Sequence, residues 1–309
     1  MSIILYGQYP RSEALVQATR DFDRQRISHD RLEEIRRKDR EQLLNLQKGF
    51  SYLSPGLFHW DDLLRPFTQI VDNMRQGALT RFFETNTFWR LLELEGPFVR
   101  KHEALSDWIR QAFVPDHVFE GSLIFTLPFL FLFRDFSHGC SLEDIQNLLL
   151  DLTACIDRHF HGLIVFFEPT IGWRTISQEE KEAARTLIET IKERVTIPLV
   201  IAQCFFPIPH QELQFLYDLP VDGIGIDFYH NTIHDTLARF PQEKRLLAGI
   251  LDTNSPLIEE KKKILDFLNS AQHYVAKEQI DLTLAGPAEL LPRKAMDKKV
   301  NNLKEIINA

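Results

Sequence analysis

The segment "GLIVFFEP", residues 162–169, is an unbroken apolar run closed by a glutamate and a proline. It does not alternate polar with apolar residues, so both of its faces are buried. That is the pattern of a strand in a parallel sheet covered by helices. The same pattern recurs in "VFEGSLIFTLP" (118–128), "IPLVIAQC" (197–204), "VDGIGIDFY" (221–229), "LLAGILD" (246–252) and "IDLTLAGP" (280–287). Two shorter runs near the start, "IILYGQ" (3–8) and "FSYLSPG" (50–56), bring the count of candidate strands to eight.

Helical segments separate most of these runs. "SLEDIQNLLLDLTACIDRHF" (141–160) and "SQEEKEAARTLIETIKERV" (177–195) each open on a capping box, a Ser with an acidic residue three positions on. "HQELQFLYDL" (210–219), "NTIHDTLARF" (231–240) and "IEEKKKILDFLNSAQHYVAKE" (258–278) follow. Residues 12–50 mix charge with Leu, Ile and Phe at helical spacing, with Ser28 as a cap. Eight strands alternating with helices predict an α/β fold, a (β/α)8 TIM barrel with an extended amino-terminal helical section, forming one domain over residues 1–309. An open doubly wound sheet is the alternative, but no GxGxxG or Walker A sequence supports its nucleotide-binding form.

The chain has 309 residues, 44% hydrophobic with 24 Phe, enough for a large core, and a net charge of −8. A protein that binds a nucleic-acid backbone carries basic clusters, and the one basic run, "EEKKKIL" (259–265), has acidic neighbours and reads as a solvated helix face. No stretch reaches the ~18 apolar residues of a membrane span, and "MSIILYGQYP" has no basic n-region of a signal peptide. Three cysteines, Cys140, Cys155 and Cys204, do not make a disulfide framework, so the expected setting is reducing and cytoplasmic, with neither nucleic acid nor membrane as partner.

In a barrel of this kind the chemistry sits at the carboxyl ends of the strands. Those ends carry Gly7 and Gln8 with Arg11 nearby, Glu168, Cys204, Asp227 with His230, Asp252, and Gly286 with Glu289. Glu168 follows two phenylalanines, where burial raises a carboxyl pKa unless a cation such as Arg11 or Arg174 pairs with it. It reads as a substrate-amine anchor, an acid–base group or a structural ion pair. Asp227 reads as a site acid or a cap. Cys204 reads as a metal-binding thiolate or as a small apolar core residue. His138 and Cys140 have metal-like spacing, but two ligands do not make a zinc site.

An ordered set of segments resembles the cobalamin-independent methionine synthases. These are "YGQYPRSEALVQA" (6–18), "FFETNTFW" (82–89), "GLIVFFEPTI" (162–171), "IPLVIAQCFF" (197–206), "LPVDGIGIDF" (219–228), "LAGILDTNS" (247–255) and "GPAELLPRKAMDKKVNNL" (286–303). The resemblance implies one of two related barrels. In that family the carboxyl-terminal barrel holds a catalytic zinc through His, Cys, Glu and a second Cys. The zinc binds the homocysteine thiolate, which attacks the methyl group of a methylated folate. The amino-terminal barrel has no zinc and helps hold the folate tail.

At the positions matching that metal site the chain has Ala202, Cys204, Asp227 and Gly286, and Phe167 replaces the aspartate of the family's Asp-Glu-Pro-Ala motif. Zinc is the cofactor the family implies, its ligand set here is incomplete, and Cys204 is its one candidate ligand. The chain therefore resembles the amino-terminal barrel or a free-standing relative. The resemblance implies a homocysteine S-methyltransferase, acting alone or beside a zinc-bearing carboxyl-terminal-type barrel. Its small-molecule partners would be a methyl donor (folate, pterin or corrinoid-bound) and a thiol acceptor. Gly7, Gln8, Arg11, Thr85 and Asn86 would hold the donor and Glu168 a substrate amine, with Cys204 and Asp227 as remnants or substitutes of the metal site. A non-catalytic donor-binding or partner subunit, and a lyase or decarboxylase on the same scaffold, are the alternatives.

Overall fold

The computed structural model describes residues 1–113 and 121–308. His117 and the first residues of the strand expected at 118–128 lie outside the described residues. The chain opens with β1 (Ile3–Ile4), α1 (Glu13–Asp23), α2 (His29–Leu46) and β2 (Tyr52–Leu53). There follow β3 (Val71–Arg81), β4 (Phe88–Arg100), α3 (Leu105–Phe113), β5 (Ser122–Pro128), α4 (Leu130–Asp135) and β6 (Ser137–His138). Strands and helices then alternate strictly: α5 (Leu142–His159), β7 (Gly162–Phe167), α6 (Gln178–Arg194), β8 (Leu199–Ala202), α7 (His210–Asp218), β9 (Gly223–Asp227) and α8 (Ile233–Leu237). The last elements are β10 (Arg245–Leu251), α9 (Lys261–Ala271), β11 (Ile280–Leu284) and α10 (Arg293–Asn308).

Eight strands run parallel in the order β1-β11-β10-β9-β8-β7-β5-β2, a nearly closed (β/α)8 barrel made of the eight runs read from the sequence. Most of the strands are buried on both faces: every residue of β8, β9 and β11 is buried, while the short β2 at the seam is half-buried. At the seam β1 and β2 do not pair. Loop contacts bridge them instead, with the Tyr9 amide donating to the Gly56 carbonyl at 3.0 Å and the Ser51 amide to Ser2 Oγ at 3.1 Å. The capping boxes form as expected, Ser141 with Asp144 and Ser177 with Glu180, and the Ser28 hydroxyl caps α2.

Register sets the level of the barrel mouth. Pro128 pairs with Phe167, Phe167 with Ala202, and Ala202 with Gly225. The residues that follow each strand, Glu168, Gln203 and Cys204, therefore emerge at one height.

The insertion between β2 and β5 holds an element that the sequence reading did not contain. β3 and β4 form a long antiparallel hairpin that, with β6, makes a second, three-stranded sheet. Its register shifts between Asp72 and Met74 and again between Gln76 and Leu79. Such bulges bend and twist a ribbon. They also explain why the hairpin escaped notice: β3 buries about every third residue, Val71, Met74 and Gly77, rather than every second.

The β5–β7 contact is tight enough to test. A Cβ built on Gly162 would lie 1.9 Å from the Leu123 carbonyl oxygen, so strand separation leaves no space for a methyl group. Gly162→Ala should lower stability by about 3 kcal/mol, the upper range for overpacking. Urea denaturation checks this, and an unchanged midpoint would contradict the pairing.

Candidate functional site

Glu168 is fully buried just beyond β7. Its Oε2 accepts the amides of Phe131 (3.1 Å) and Leu132 (3.0 Å), and Oε1 accepts the amide of Thr170 (3.0 Å). It thus satisfies the first amides of the short helix α4. Burial raises its pKa to about 7, against the pull of the Leu132 and Thr170 amides. Neither arginine named from the sequence pairs with it. Arg174 forks onto Asp135 (2.8 Å) and Glu180 (2.6 Å), where it helps hold Glu180 down at about 2. Arg134, at the end of α4, lies 3.7 Å from the same Glu180.

Asp227, at the end of β9, is buried and organises two loops. Its Oδ2 accepts the amide of Phe205 (3.0 Å) and lies 2.6 Å from His230 Nδ1, while Oδ1 accepts the amide of Tyr229 (2.8 Å). Burial raises its pKa even so, with His230 opposing. Cys204 is fully buried. Burial first, then the charges of Asp227, Glu289 and Glu168, raise its thiol well above the ordinary value. Tyr6 is raised in the same way by burial and by Cys204, Asp227 and Glu289. Glu168, Cys204 and Asp227 are therefore one electrostatic group at the barrel mouth, joined by Tyr6 and Glu289.

The zinc-ligand positions do not fit a metal. Ala202 is buried, and a Cβ on Gly225 would come within 2.9 Å of its Cβ. A Cβ on Gly286 would lie 2.6 Å from Thr253 Oγ1 and 2.9 Å from the Phe205 ring. A side chain at position 286 has no room without a shift of Thr253 and Phe205, and the Ala202 methyl packs directly on the Gly225 backbone. Among the described residues, no three His, Cys, Asp or Glu side chains are grouped to hold a metal ion.

Open space lies at the edge of the mouth, in a cleft of about 470 Å³ beside the β1–β2 seam. Gln8, Arg11, Trp60, Asp61, Thr87 and Glu289 line it. Gln8 Nε2 donates to the Trp60 carbonyl at 2.7 Å; Arg11 Nη2 donates to the same carbonyl and to Asp61 Oδ1 (3.1 Å). Gly7, with φ of 80°, turns the chain into this loop, and its amide donates to Thr126 Oγ1 at 2.8 Å. Thr85 and Asn86 sit at the tip of the β3–β4 hairpin. The Thr85 hydroxyl donates to the Phe82 carbonyl (2.7 Å) and accepts the Thr87 amide (3.1 Å), so it closes the turn, and Thr87 is the tip residue that reaches the cleft.

Glu289 was read only as a strand-end residue, yet it is the cleft's distinctive group. Its Oε2 is buried with no hydrogen-bond partner among the described residues, and burial raises its pKa to about 8. At neutral pH it is a proton-bearing donor. The signal for it, an acidic residue in the turn after β11, is present in the sequence; its missing partner is visible only in three dimensions.

The raised Glu168 pKa has a consequence for stability. From the ordinary carboxyl pKa of 4.5 up to about 7, the folded chain keeps a proton that the unfolded chain has released, so stability falls as pH rises through that window. Glu168→Gln should make this decline shallower. Urea midpoints at pH 5 and about pH 7.5 check it, and an identical slope in both proteins would contradict it.

The profile described as the cobalamin-independent synthase, N-terminal domain, matches residues 71–276. Among curated relatives, a 5-methyltetrahydropteroyltriglutamate–homocysteine methyltransferase of Bacillus licheniformis is 26% identical over 187 residues, covering 57% of this chain and 24% of the relative. Its counterpart in Halalkalibacterium halodurans is 25% identical over 223 residues, covering 68% of this chain and 29% of the relative. The chain thus spans about a quarter of the length of the relatives it matches. Among solved structures, a B12-independent methionine synthase from Shewanella in complex with selenomethionine superposes with a TM-score of 0.74 at 15% identity, over 92% of this chain and 90% of that one. A putative vitamin-B12-independent methionine synthase from Listeria monocytogenes gives 0.70 at 12% identity, over 98% and 95%. These structures support the barrel fold. The profile match covers most of the chain, from the start of the β3–β4 hairpin to beyond α9, and on it the chain belongs to the family of cobalamin-independent synthase N-terminal domains.

Proposed function

We propose that this barrel serves methyl transfer from a methylated folate or pterin to a thiol such as homocysteine, and that its part is to hold the methyl donor. The observation that carries this reading is the contrast between two places at the mouth. The metal positions Ala202 and Gly286 are filled by packing, while the neighbouring cleft is open and holds a cation, aromatic walls and a proton-bearing carboxyl. The relatives act, by name, on a pteroyltriglutamate and homocysteine.

A methylated folate offers a flat heterocycle and an anionic tail. Trp60 and Tyr9 provide aromatic surface in the cleft, and Arg11 provides a guanidinium for a carboxylate. In the transfer itself, a sulfur–carbon bond forms as the nitrogen–carbon bond to the methyl group breaks. The leaving nitrogen must gain a proton, and Glu289 carries one at neutral pH in the same cleft. Activation of the thiol would fall to a second, zinc-bearing barrel, since zinc stabilises a thiolate. The expectation of one domain over residues 1–309 agrees with this division, with the chain working as one barrel of a pair.

A second reading, catalysis by this chain alone, is favoured by the group formed by Glu168, Cys204 and Asp227. Burial raises all three pKa values, that of Glu168 to about 7, and raised pKa values in one cluster are what acid–base sites build.

Calorimetric binding of 5-methyltetrahydrofolate triglutamate tests the donor reading. Arg11→Ala should weaken binding about 10- to 100-fold, the worth of one or two charge-assisted hydrogen bonds. Wild-type affinity should fall as pH rises through about 8, where Glu289 loses its proton, and Glu289→Gln should flatten that profile. Absence of binding, or affinity untouched by Arg11→Ala, would overturn the reading.

A further inference from the structure

We propose that the tip of the β3–β4 hairpin, residues 78–89, is a gate that closes the barrel mouth over Cys204 and lifts as a unit to open it. This goes beyond donor binding and does not rest on it.

Four features place the gate. The tip is an apolar plug. Phe82 meets Phe167 (6.3 Å between ring centroids) and Phe205 (6.1 Å), and Phe83 meets Phe205 (6.3 Å), Phe206 (5.6 Å) and Trp173 (5.6 Å). Second, the plug is internally closed. The Phe82 amide donates to the Thr87 carbonyl (2.9 Å), Thr85 caps the turn, and Phe82 stacks on Trp89 at 3.8 Å. It can therefore move without unfolding.

Third, the hairpin is fastened at its root and loose beyond it. The Lys101 amide donates to the Ile70 carbonyl and the Leu92 amide to the Phe136 carbonyl. Past that level the register breaks between Gln76 and Leu79, around Gly77, and among the described residues the one backbone tie to the barrel-side loop is the Arg90 amide on Asp62 Oδ2 at 3.3 Å. Fourth, strained backbone occurs where the plug meets the barrel, at two of the five such non-glycine positions among the described residues. Phe83 (φ 48°) and Phe205 (φ 75°) are both non-glycine residues in the left-handed region. Such conformations persist only while their surroundings hold them, and they gather at switches and clamps. Phe205 is held by Asp227 Oδ2, directly beside Cys204. Under the plug lie buried groups that can carry protons: Glu168 and Cys204 have no exposed surface, and Asp227 has 1%.

The test reads Cys204 as a reporter, in the full chain with Cys140→Ser and Cys155→Ser so that only one thiol remains. Iodoacetamide labelling is followed by mass spectrometry at one fixed pH and at urea concentrations below the unfolding transition. A gate predicts labelling that is independent of urea and at least about tenfold faster than global unfolding allows. Phe83→Ala, which removes the ring contacts, should speed it by about a further tenfold. Labelling that follows the full urea dependence of global unfolding would overturn the proposal. That result can be read from the Phe83-containing chain alone, even where the alanine variant folds poorly.

Discussion

Phe82 of the hairpin and Phe167 and Phe205 of the barrel meet over the carboxyl ends of β7 and β8, and this contact decides what the mouth of the barrel can contain. Aromatic rings exclude water, and a carboxyl or thiol without water holds its proton. Glu168 near 7, the raised Asp227 and the strongly raised Cys204 are consequences of one apolar cover. The Phe205 ring also stands where a side chain at position 286, one of the family's metal-ligand positions, would project.

The open space is thereby displaced to the edge of the mouth. Where β1 and β2 fail to pair, the loops at Gln8–Arg11 and Leu57–Asp61 stand apart and leave the cleft. Both Gln8 and Arg11 converge on the Trp60 carbonyl, which braces the loops against each other, while Glu289 Oε2 has no partner among the described residues. The seam is thus a weak point of the barrel's hydrogen bonding and the place where the mouth stays open.

The eight barrel strands were readable because burial on both faces writes itself as continuous apolar runs, and the α5 and α6 caps because Ser and an acidic residue three positions apart have few other local uses. Residues 71–100 were not readable as a hairpin because two bulges replace the period of two with a spacing near three. The order of residues at the mouth was readable too, but their partners were not. Glu168 is satisfied by amides of α4 rather than by an arginine, and Asp227 by His230 three residues on, because such pairings depend on loop paths that no local pattern encodes. Glu289 stood in plain view in the turn after β11, without the unpaired oxygen that marks it.

The central claim is that this barrel supplies a donor site and another barrel supplies the thiol-activating metal. Homocysteine methylation measured with this chain alone, with a zinc-bearing carboxyl-terminal-type barrel alone, and with the two together tests it most directly. The account predicts turnover that needs the zinc barrel and rises on adding this chain. Sustained turnover by this chain alone, with near-stoichiometric zinc that Cys204→Ser abolishes, would contradict it.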